Sequence, residues 1–409
     1  MNIFSIVILV ALGVDFILNL IADLKNIQSL DTELPDEFEG VYNEETYRKS
    51  QEYTKVTTRF GILTSTFDLA VLLAFWFTGG FNWLDQIVRN WHLPVIATGL
   101  VYIGILTIAK MILSLPFSLY STFVIEEQFG FNKTTPKTFV LDMVKGLGLG
   151  IILGGPLLAG ILAFFTFFPV YAWLYAWAAV TAFTLVVQFV APRWIMPLFN
   201  DFEPLEEGEL RKKINEYANR VQFKMEGIYV MDGSKRSSKS NAFFTGFGKN
   251  KRIALFDTLI KNHSDDELVA VLAHEIGHYK KKHIIMNMVT SILQTGVMFL
   301  LLSIFLHSSG LYSAFYMQQA SVYAGLIFFS LLYTPLDMIL SIFMQIISRR
   351  HEYEADAFAS TTYKKEPMIE ALKKLSKDNL SNLTPHPFYV FLNYSHPTVL
   401  QRIKAIRAI

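Results

Sequence analysis

Long apolar runs separated by polar segments dominate the pattern of the chain. Seven runs are long enough to cross a bilayer, and they cover Ile3–Ile21, Phe60–Phe77, Val95–Leu119, Phe139–Phe167, Val170–Val190, Ile284–Leu306 and Val322–Ile347. A helix of about 20 apolar residues spans the hydrocarbon core of a membrane. The stretch from Gly146 to Pro192 contains no Asp, Glu, Lys or Arg, which no water-exposed helix tolerates. The pattern therefore predicts an all-α polytopic membrane protein with seven transmembrane helices.

Basic residues fall almost entirely in one set of connecting segments. Of the 36 Lys and Arg residues, 33 lie in segments that share one side of a seven-span arrangement, and the loops of the other side contain Arg89 alone. Cytoplasmic loops carry such an excess of basic residues. We therefore expect the N-terminus outside and the large polar segments, with the C-terminus, on the cytoplasmic side. The first run lacks a basic segment and a small-residue cleavage site, so it is expected to remain as a span.

Composition narrows the class of protein further. Hydrophobic residues make up 52% of the 409 residues and charged residues only 17%, against about 25% charged residues in soluble domains. The formal net charge of +1 argues against a nucleic-acid partner, because nucleic-acid binders concentrate basic residues. The absence of cysteine excludes a disulfide framework, a cysteine nucleophile and thiolate metal ligands.

The polar segment of residues 201–283 is large enough to fold outside the membrane. Its pattern predicts an amphipathic helix at Leu205–Phe223 and short strands at Gly227–Met231, Asn241–Phe247 and Arg252–Asp257. A second helix begins at the capping box Ser264-Asp-Asp-Glu267, in which both named side chains bind backbone N–H groups. This second helix is expected to continue through Lys280–Lys282 into the sixth span.

The end of the chain forms a second polar segment. Residues 349–409 predict a helix, a loop with Pro385 and Pro387, and a last helix after Pro397. The chain is therefore expected to divide into residues 1–200 with five spans, 201–283, 284–348 with two spans, and 349–409.

Several ionisable residues lie inside or at the ends of the apolar runs, namely Asp15, Asp68, Lys110, Asp142, Lys145 and Asp337. Charges at this depth are costly and usually face a bundle interior or a water-filled cavity. Two interpretations stay open: structural pairs, for example between Asp142 and Lys145, or the lining of a hydrated space.

The second predicted helix contains the sequence His274-Glu275-Ile276-Gly277-His278. Residues four apart lie on one face of a helix, so both imidazoles are able to bind one Zn²⁺ ion, with Glu275 beside the attacking water as general base. A solvated His pair on a charged helix is the alternative. The apolar stretch Leu268–Leu272 argues against it, because it predicts a half-buried helix. The motif therefore predicts a site for one zinc ion.

A catalytic zinc site needs three protein ligands and one open position. No third His follows at the metzincin spacing, so the third ligand is expected to be a carboxylate from elsewhere. The best candidate is Glu352, directly after the seventh span, with Asp356 four residues later on the same helical face. Asp356 would accept a hydrogen bond from a ligand imidazole. His351 and Glu354 are rival ligands, and an ordinary charged helix at the membrane surface is the alternative interpretation.

Motifs spread along the chain point to a family; they are Tyr47–Tyr53, Tyr120–Asn132, Ala191–Asn200, Ser240–Phe247, His274–His278, Glu352–Asp356 and Tyr394–Pro397. With these motifs the sequence resembles the type I CAAX prenyl endopeptidases, which are integral-membrane zinc metalloproteases of the gluzincin kind. The resemblance covers nearly the whole chain. Several motifs are long and unrelated to metal binding, so the resemblance is far more specific than the zinc motif alone.

The resemblance implies a role for each matching residue of the zinc site. His274, His278 and Glu352 match the zinc ligands, and Glu275 matches the catalytic base. Asp356 matches an acid beside the metal that is sometimes described as a proton donor.

The resemblance extends to residues that would contact the substrate. His396 and Arg402 match a late His and Arg near the metal, and donors of this kind stabilise the oxyanion of a tetrahedral intermediate. Asn241, Ala242 and Phe243 match an edge strand against which a peptide lies by β-augmentation. Without the resemblance, a capped terminal helix and a routine apolar strand are the plainer interpretations.

The resemblance also implies a fold and an activity. The seven spans would enclose a large chamber, capped by a small α+β zinc metalloprotease domain on the cytoplasmic side. The enzyme would remove the last three residues of prenylated CAAX proteins, or cleave similar membrane-associated peptides. Because the chain is shorter than the eukaryotic members, we expect the inner membrane of a prokaryotic cell.

Two alternative functions stay open. A quality-control metalloprotease of the heat-shock type would share the zinc helix but usually has about four spans. A transporter or channel with a zinc site would be favoured by internal repeats, and the sequence has none that we detect.

Overall fold

The computed structural model describes residues 1–31, 33–245 and 251–409. The first half is helical, with α1 Ile3–Gln28, α2 Glu44–Phe77, α3 Gly80–Arg89, α4 Val95–Tyr120, α5 Pro136–Leu149, α6 Gly155–Phe167 and α7 Ala172–Val190. The helices of the second half are α8 Glu209–Arg220, α9 Asp257–Asn262, α10 Asp265–Lys280, α11 His283–Phe305, α12 Ser309–Ser313, α13 Val322–Thr362, α14 Lys365–Asp378, α15 Pro387–Asn393 and α16 Val399–Ala408. The strands are β1 Phe202–Pro204, β2 Gly227–Met231, β3 Ala242–Thr245 and β4 Arg252–Phe256.

Seven helical segments of the described residues are long and apolar enough to span a membrane, which confirms the predicted spans. α5 and α6 form one span through a π-helical turn at Gly150–Gly154, and a similar turn at Ser121–Glu126 extends α4. Two spanning helices continue well beyond their apolar runs, since α2 begins at Glu44 and α13 ends at Thr362. Their polar ends pack against the folded polar segments and so connect both parts of the molecule.

Buried side chains of the spanning helices concentrate at one end of the bundle. This cluster joins the end of α2 to the start of α13, with Trp76, Tyr102, Phe165, Phe299, Phe315 and Phe328 among its members. Elsewhere few residues of the spans are buried by other protein atoms, between 6% and 17% of the apolar windows. A cavity of about 730 Å³ lies between α1, α2, α4 and α13, and Asp15, Asp68 and Lys110 line it. These three ionisable residues therefore line a space between the spans, as one of the two interpretations left open requires.

The pair between Asp142 and Lys145, given as an example of one open interpretation, does not form. Arg236 donates two hydrogen bonds to the Asp142 carboxylate, at 2.7 and 2.8 Å. Lys145 instead donates to the carbonyl oxygen of Leu198 at 2.6 Å. A guanidinium from the folded segment thus neutralises the carboxylate at the membrane surface.

The two polar segments fold around one shared core. Their sheet has the strand order β1-β2-β4-β3, in which β2 and β4 are parallel and the other pairs are antiparallel. The buried cluster beside it draws on α8, β4, α10, α14 and α16, with Ile214, Ile253, Leu268, Leu372 and Ile403 among its members. Helices from both ends of the second half therefore close over the same apolar surface.

Most of the predicted elements of the polar segments are present with shifted ends. The strand predicted at Gly227–Met231 is β2, and the run Arg252–Asp257 contains β4. Of the predicted strand Asn241–Phe247, β3 covers Ala242–Thr245 and the last two residues lie outside the described residues. The helix predicted at Leu205–Phe223 is shorter, since α8 covers Glu209–Arg220, and the three-residue strand β1 before it was not predicted because its pattern is too short.

The expected continuous helix from α10 into the sixth span is wrong. α10 ends at Lys280 and α11 begins at His283, and Lys282 between them has left-handed backbone with φ of +62°. The capping box at the start of α10 is confirmed, since Ser264 and Glu267 each bind the backbone N–H of the other. The metal-motif helix is therefore a separate rod from the membrane helix that follows it.

Candidate active site

The site is formed where two helices from distant parts of the chain cross. α10 carries the His274–His278 motif and is buried along most of its length, as the apolar stretch before the motif predicted. α13 approaches it closely at Gly277, where an added Cβ would lie 3.1 Å from both the Cα and the carbonyl oxygen of Ala355. The missing side chain of Gly277 lets the helices touch, so Glu352 on α13 faces the two imidazoles.

The three predicted ligands converge on one point. His274, His278 and Glu352 each offer a ligand atom, and these atoms lie within 4.8 Å of one another. The two Nε2 atoms are 3.1 Å apart, and the Glu352 oxygens lie 3.4 Å from one and 3.2 Å from the other. Oε2 of Glu352 is buried and has no hydrogen-bond partner among the described residues. Two imidazole nitrogens and an unpartnered carboxylate oxygen fit a divalent cation with nitrogen and oxygen ligands.

Behind His274, Asp356 and Arg402 form a buried charged pair. Asp356 accepts a hydrogen bond from His274 Nδ1 at 2.9 Å and two from Arg402 at 2.7 and 2.8 Å. Burial lowers the pKa of His274, but hydrogen bonds to Asp356 and Glu352 outweigh it and raise this pKa to about 9. The hydrogen on Nδ1 is held toward Asp356, so Nε2 is left for a metal ion, which displaces a proton when it binds.

His278 has a support that the sequence did not reveal. Its Nδ1 lies 3.0 Å from Nδ1 of His283, and Nε2 of His283 lies 3.1 Å from Oε2 of Glu354. His351 stacks on His283 with ring centroids 3.9 Å apart. The two rival ligands, His351 and Glu354, therefore lie outside the ligand set. The one sequence signal for this support was a His five residues after the motif. The predicted continuous helix would have placed that His on another face of the helix.

His396 lies at the exposed edge of the metal site, and Glu275 is the residue after the ligand candidate His274. Nε2 of His396 lies 3.3 Å from Oε1 of Glu352, while its side chain is 60% exposed. Ser395 forms a hydrogen bond with His396 Nδ1 at 2.9 Å. Burial raises the pKa of the Glu275 carboxyl, which suits a group that takes up a proton and gives it back.

The predicted substrate strand lies next to the metal-motif helix. Within β3, Phe243 pairs with Ala254 of β4, and Phe244 contacts Tyr279, the residue after His278, with ring centroids 5.8 Å apart. Asn241 is exposed just before the strand. The other edge of β3 has no strand partner among the described residues, so main-chain groups face outward beside the metal site.

The segment before β3 is bound to the membrane bundle. Lys239 donates a hydrogen bond to the Tyr53 hydroxyl at 2.7 Å and lies 2.9 Å from the Glu126 carboxylate, to which Tyr53 also donates. Asn379, after α14, exchanges two hydrogen bonds with the backbone of Ser240, at 3.0 and 3.2 Å. Tyr53 belongs to the polar end of α2 and Glu126 to the π-helical turn after α4. The bundle thus sets where the strand begins, through what we call the Tyr53–Glu126–Lys239 clamp.

Comparison with known proteins agrees with this architecture. The family model for the CAAX prenyl protease N-terminal region, five membrane helices, matches residues 23–201, and the model for peptidase family M48 matches residues 204–409. CAAX prenyl protease 1 of Saccharomyces cerevisiae is 37% identical over 92% of this chain and 89% of its own length. The human CAAX prenyl protease 1 homolog is 32% identical over 94% of this chain and 90% of its own length.

The fold is shared with a solved structure as well. The crystal structure of S. mikatae Ste24p superimposes with a TM-score of 0.94 at 36% sequence identity, covering 99% of both chains. Fold and site together define a membrane-embedded metalloendopeptidase. The chain belongs to peptidase family M48, in the group with the CAAX prenyl protease N-terminal region. These matches support the expected membrane endopeptidase of the CAAX prenyl protease type. They support neither the heat-shock alternative nor the transporter alternative.

Proposed function

We propose that the metal ion is zinc and that His274, His278 and Glu352 are its ligands. The convergence of their ligand atoms carries this proposal. Two imidazoles and one carboxylate with an open position are a common set for catalytic zinc. The catalytic unit would join residues 201–283 and 349–409, which share one core, while residues 1–200 and 284–348 would form the membrane part.

A bound zinc ion would polarise the scissile carbonyl and lower the pKa of the attacking water. Glu275 takes the proton of this water and later gives it to the leaving amine, a role that its raised pKa favours. His396 reaches the open side and donates a hydrogen bond to the oxyanion. Asp356 orients His274, and the two hydrogen bonds of Arg402 to Asp356 favour a positioning role for Arg402 over contact with the oxyanion.

The substrate would lie along β3 as an added strand. Main-chain groups of Asn241, Ala242 and Phe243 bind the peptide backbone without demanding one sequence, which is the principle of β-augmentation. The edge of β3 that lacks a strand partner in the described part of the chain supports this geometry. A peptide held there would run past the metal site rather than into the core of the domain.

The substrate class is the C-terminus of prenylated CAAX-type proteins, which would lose the last three residues. The names of the relatives and their similarity over about nine-tenths of the chain support this assignment. The segregation of the basic residues supports an active site at the cytoplasmic surface. The inner membrane of a prokaryotic cell stays a prediction from chain length.

The test uses the purified full-length chain with farnesylated and bare CAAX peptides, with and without a chelator. We expect chelator-sensitive cleavage of the farnesylated peptide. Glu275→Gln should keep one zinc per chain and lose cleavage, while Glu216→Gln, at an exposed position on α8, keeps both. Residual activity of Glu275→Gln above about a tenth of wild type would contradict the mechanism. Equal cleavage of both peptides would contradict the prenyl requirement alone.

A further inference from the structure

The break between α10 and α11 places a histidine behind the metal-motif helix. In an unbroken helix, a residue five positions after His278 would lie about 140° away around the axis. The left-handed backbone at Lys282 ends this course, and His283 returns to His278 with their Nδ1 atoms 3.0 Å apart. The break that the sequence did not predict thus creates a contact with a proposed metal ligand.

The ring of His283 is fixed on every side that the structure describes. It is 2% exposed, and the ring of His351 stacks on it at 3.9 Å with 10° between the planes. Its second nitrogen, Nε2, lies 3.1 Å from the carboxylate of Glu354. Arg350 in turn donates a hydrogen bond to that carboxylate at 3.0 Å. The contact with His278 is therefore part of an ordered chain of side chains.

The hydrogen positions along this chain have one consistent arrangement. If His278 offers the lone pair of Nε2 to the metal ion, its hydrogen must lie on Nδ1. His283 then accepts at Nδ1 and carries its own hydrogen on Nε2, which it donates to Glu354. Each donor then has an acceptor, and the chain of hydrogen bonds ends at the Glu354 carboxylate. A metal-bound His commonly donates the hydrogen of its other ring nitrogen to a carboxylate.

We propose that His283 and Glu354 are positioning residues that hold His278 in the tautomer and orientation required to bind the metal ion. Asp356 orients His274 by a direct hydrogen bond. Glu354 would orient His278 in the same way, through the imidazole of His283 that lies between them. The inference rests on the proposed zinc site. It adds a second support, contributed by His283 of α11 and Glu354 of α13, to the first one, which Asp356 of α13 and Arg402 of α16 contribute.

The experiment measures how fast zinc leaves the purified full-length chain in excess chelator, together with the visible spectrum of the Co²⁺-substituted protein. His283→Leu should release zinc about 10- to 100-fold faster than wild type and shift the Co²⁺ spectrum. His283→Asn offers an amide oxygen near the position of Nδ1, so it should restore at least part of the retention. His263→Leu removes another buried His, one that bonds the Leu259 carbonyl, and should release zinc at the wild-type rate.

Glu354→Gln is the second variant in case His283→Leu does not fold. Its side chain is 37% exposed, and it should raise the release rate about threefold to tenfold because a neutral acceptor replaces the carboxylate. Wild-type release from both His283→Leu and Glu354→Gln, or equal release from the Leu and Asn variants, would overturn the inference. Failure of the wild-type chain to hold one zinc would overturn the proposed function instead, so the two failures are distinguishable.

Discussion

The metal-binding residues and the substrate strand lie side by side but are held in different ways. His274, Glu352 and Asp356 are almost fully buried between α10 and α13, and each contacts another member of the site. β3 is a half-exposed edge strand, and hydrogen bonds to the membrane bundle hold the segment before it. Helix packing therefore holds the candidate metal ligands in place, whereas contacts with the membrane part hold the segment before β3.

This difference explains why sequence motifs far from the metal belong to the family pattern. The motif Tyr47–Tyr53 supplies Tyr53, and Tyr120–Asn132 supplies Glu126 together with Phe131, which packs on Tyr53 with ring centroids 5.2 Å apart. Neither motif contributes a metal ligand. Both build the clamp that positions Lys239, and so they connect the membrane helices to the segment before β3 rather than to the candidate metal ligands.

The largest effect is expected from the buried charge of the metal-binding part. Arg402→Met leaves the buried Asp356 carboxylate without its guanidinium partner and with His274 alone, which should cost about 3–5 kcal/mol of unfolding free energy and release the metal ion. Arg407→Met on the same helix removes an exposed pair with Glu37 and should cost less than about 1 kcal/mol. Denaturant unfolding with zinc analysis measures both. A loss below 1 kcal/mol for Arg402→Met would contradict the burial argument.

The close crossing of α10 and α13 gives the next effect. Gly277→Ala would place a methyl group 3.1 Å from the backbone of Ala355, and overpacking of this kind costs about 1–3 kcal/mol. The displaced helix also carries Glu352, so zinc affinity should fall. Gly160→Ala, in α6 with no atom within 4 Å of the added carbon, is the control and should be neutral or slightly stabilising. Unchanged zinc affinity in Gly277→Ala would show that the crossing does not position Glu352.

The sequence predicted the parts of this comparison that depend on local periodicity. The spans follow from runs of apolar residues, and His274 and His278 follow from spacing of four on a helix. The same spacing made Glu352 with Asp356 the best candidate, and the resemblance chose Glu352 over its rivals. The support of His278 was missed, because a left-handed Lys has no sequence signal and periodicity assumes that the helix continues. The partner of Arg402 was also missed, since pairing over 46 residues depends on tertiary packing.

The substrate part shows the same limit more strongly. β3 could be predicted as a strand near Asn241, and its function came from the resemblance. Lys239, just before the strand, contacts Tyr53 and Glu126, which are 186 and 113 residues away in the sequence. A pattern of neighbouring residues does not predict contacts over such separations. Features that depend on long-range polar contacts are therefore identified only from the structure, whereas features that depend on one helix face can be predicted from the sequence.

Breaking the clamp should separate substrate binding from metal binding. We expect Lys239→Met to raise KM for a CAAX peptide about tenfold, a loss of ~1.4 kcal/mol, with kcat within about twofold and zinc content unchanged. Tyr53→Phe should act in the same direction with a smaller effect. Lys235→Met in the same loop, where Lys235 pairs with Asp201 and Asp232, is the matched control and should leave KM unchanged. Loss of zinc or of kcat in Lys239→Met would show that the clamp supports the whole site.

The smallest effect concerns exposed ion pairs around the base of α10. Hydrogen bonds from Lys364 and Lys213 hold the pKa of Asp266 at about 2, below its ordinary value of about 3.9. A lowered pKa stabilises the folded state above pH 4, and this stabilisation disappears as the pH falls from about 4 to about 2. Since the side chain is 35% exposed, Asp266→Asn should cost only about 0.5 kcal/mol at pH 7. The difference in unfolding free energy between Asp266→Asn and wild type should shrink by pH 3. At pH 7 the substitution should leave zinc retention unchanged. A difference that persists at pH 3, or a loss of zinc, would mean that surface pairs as well as burial hold the metal-binding part together.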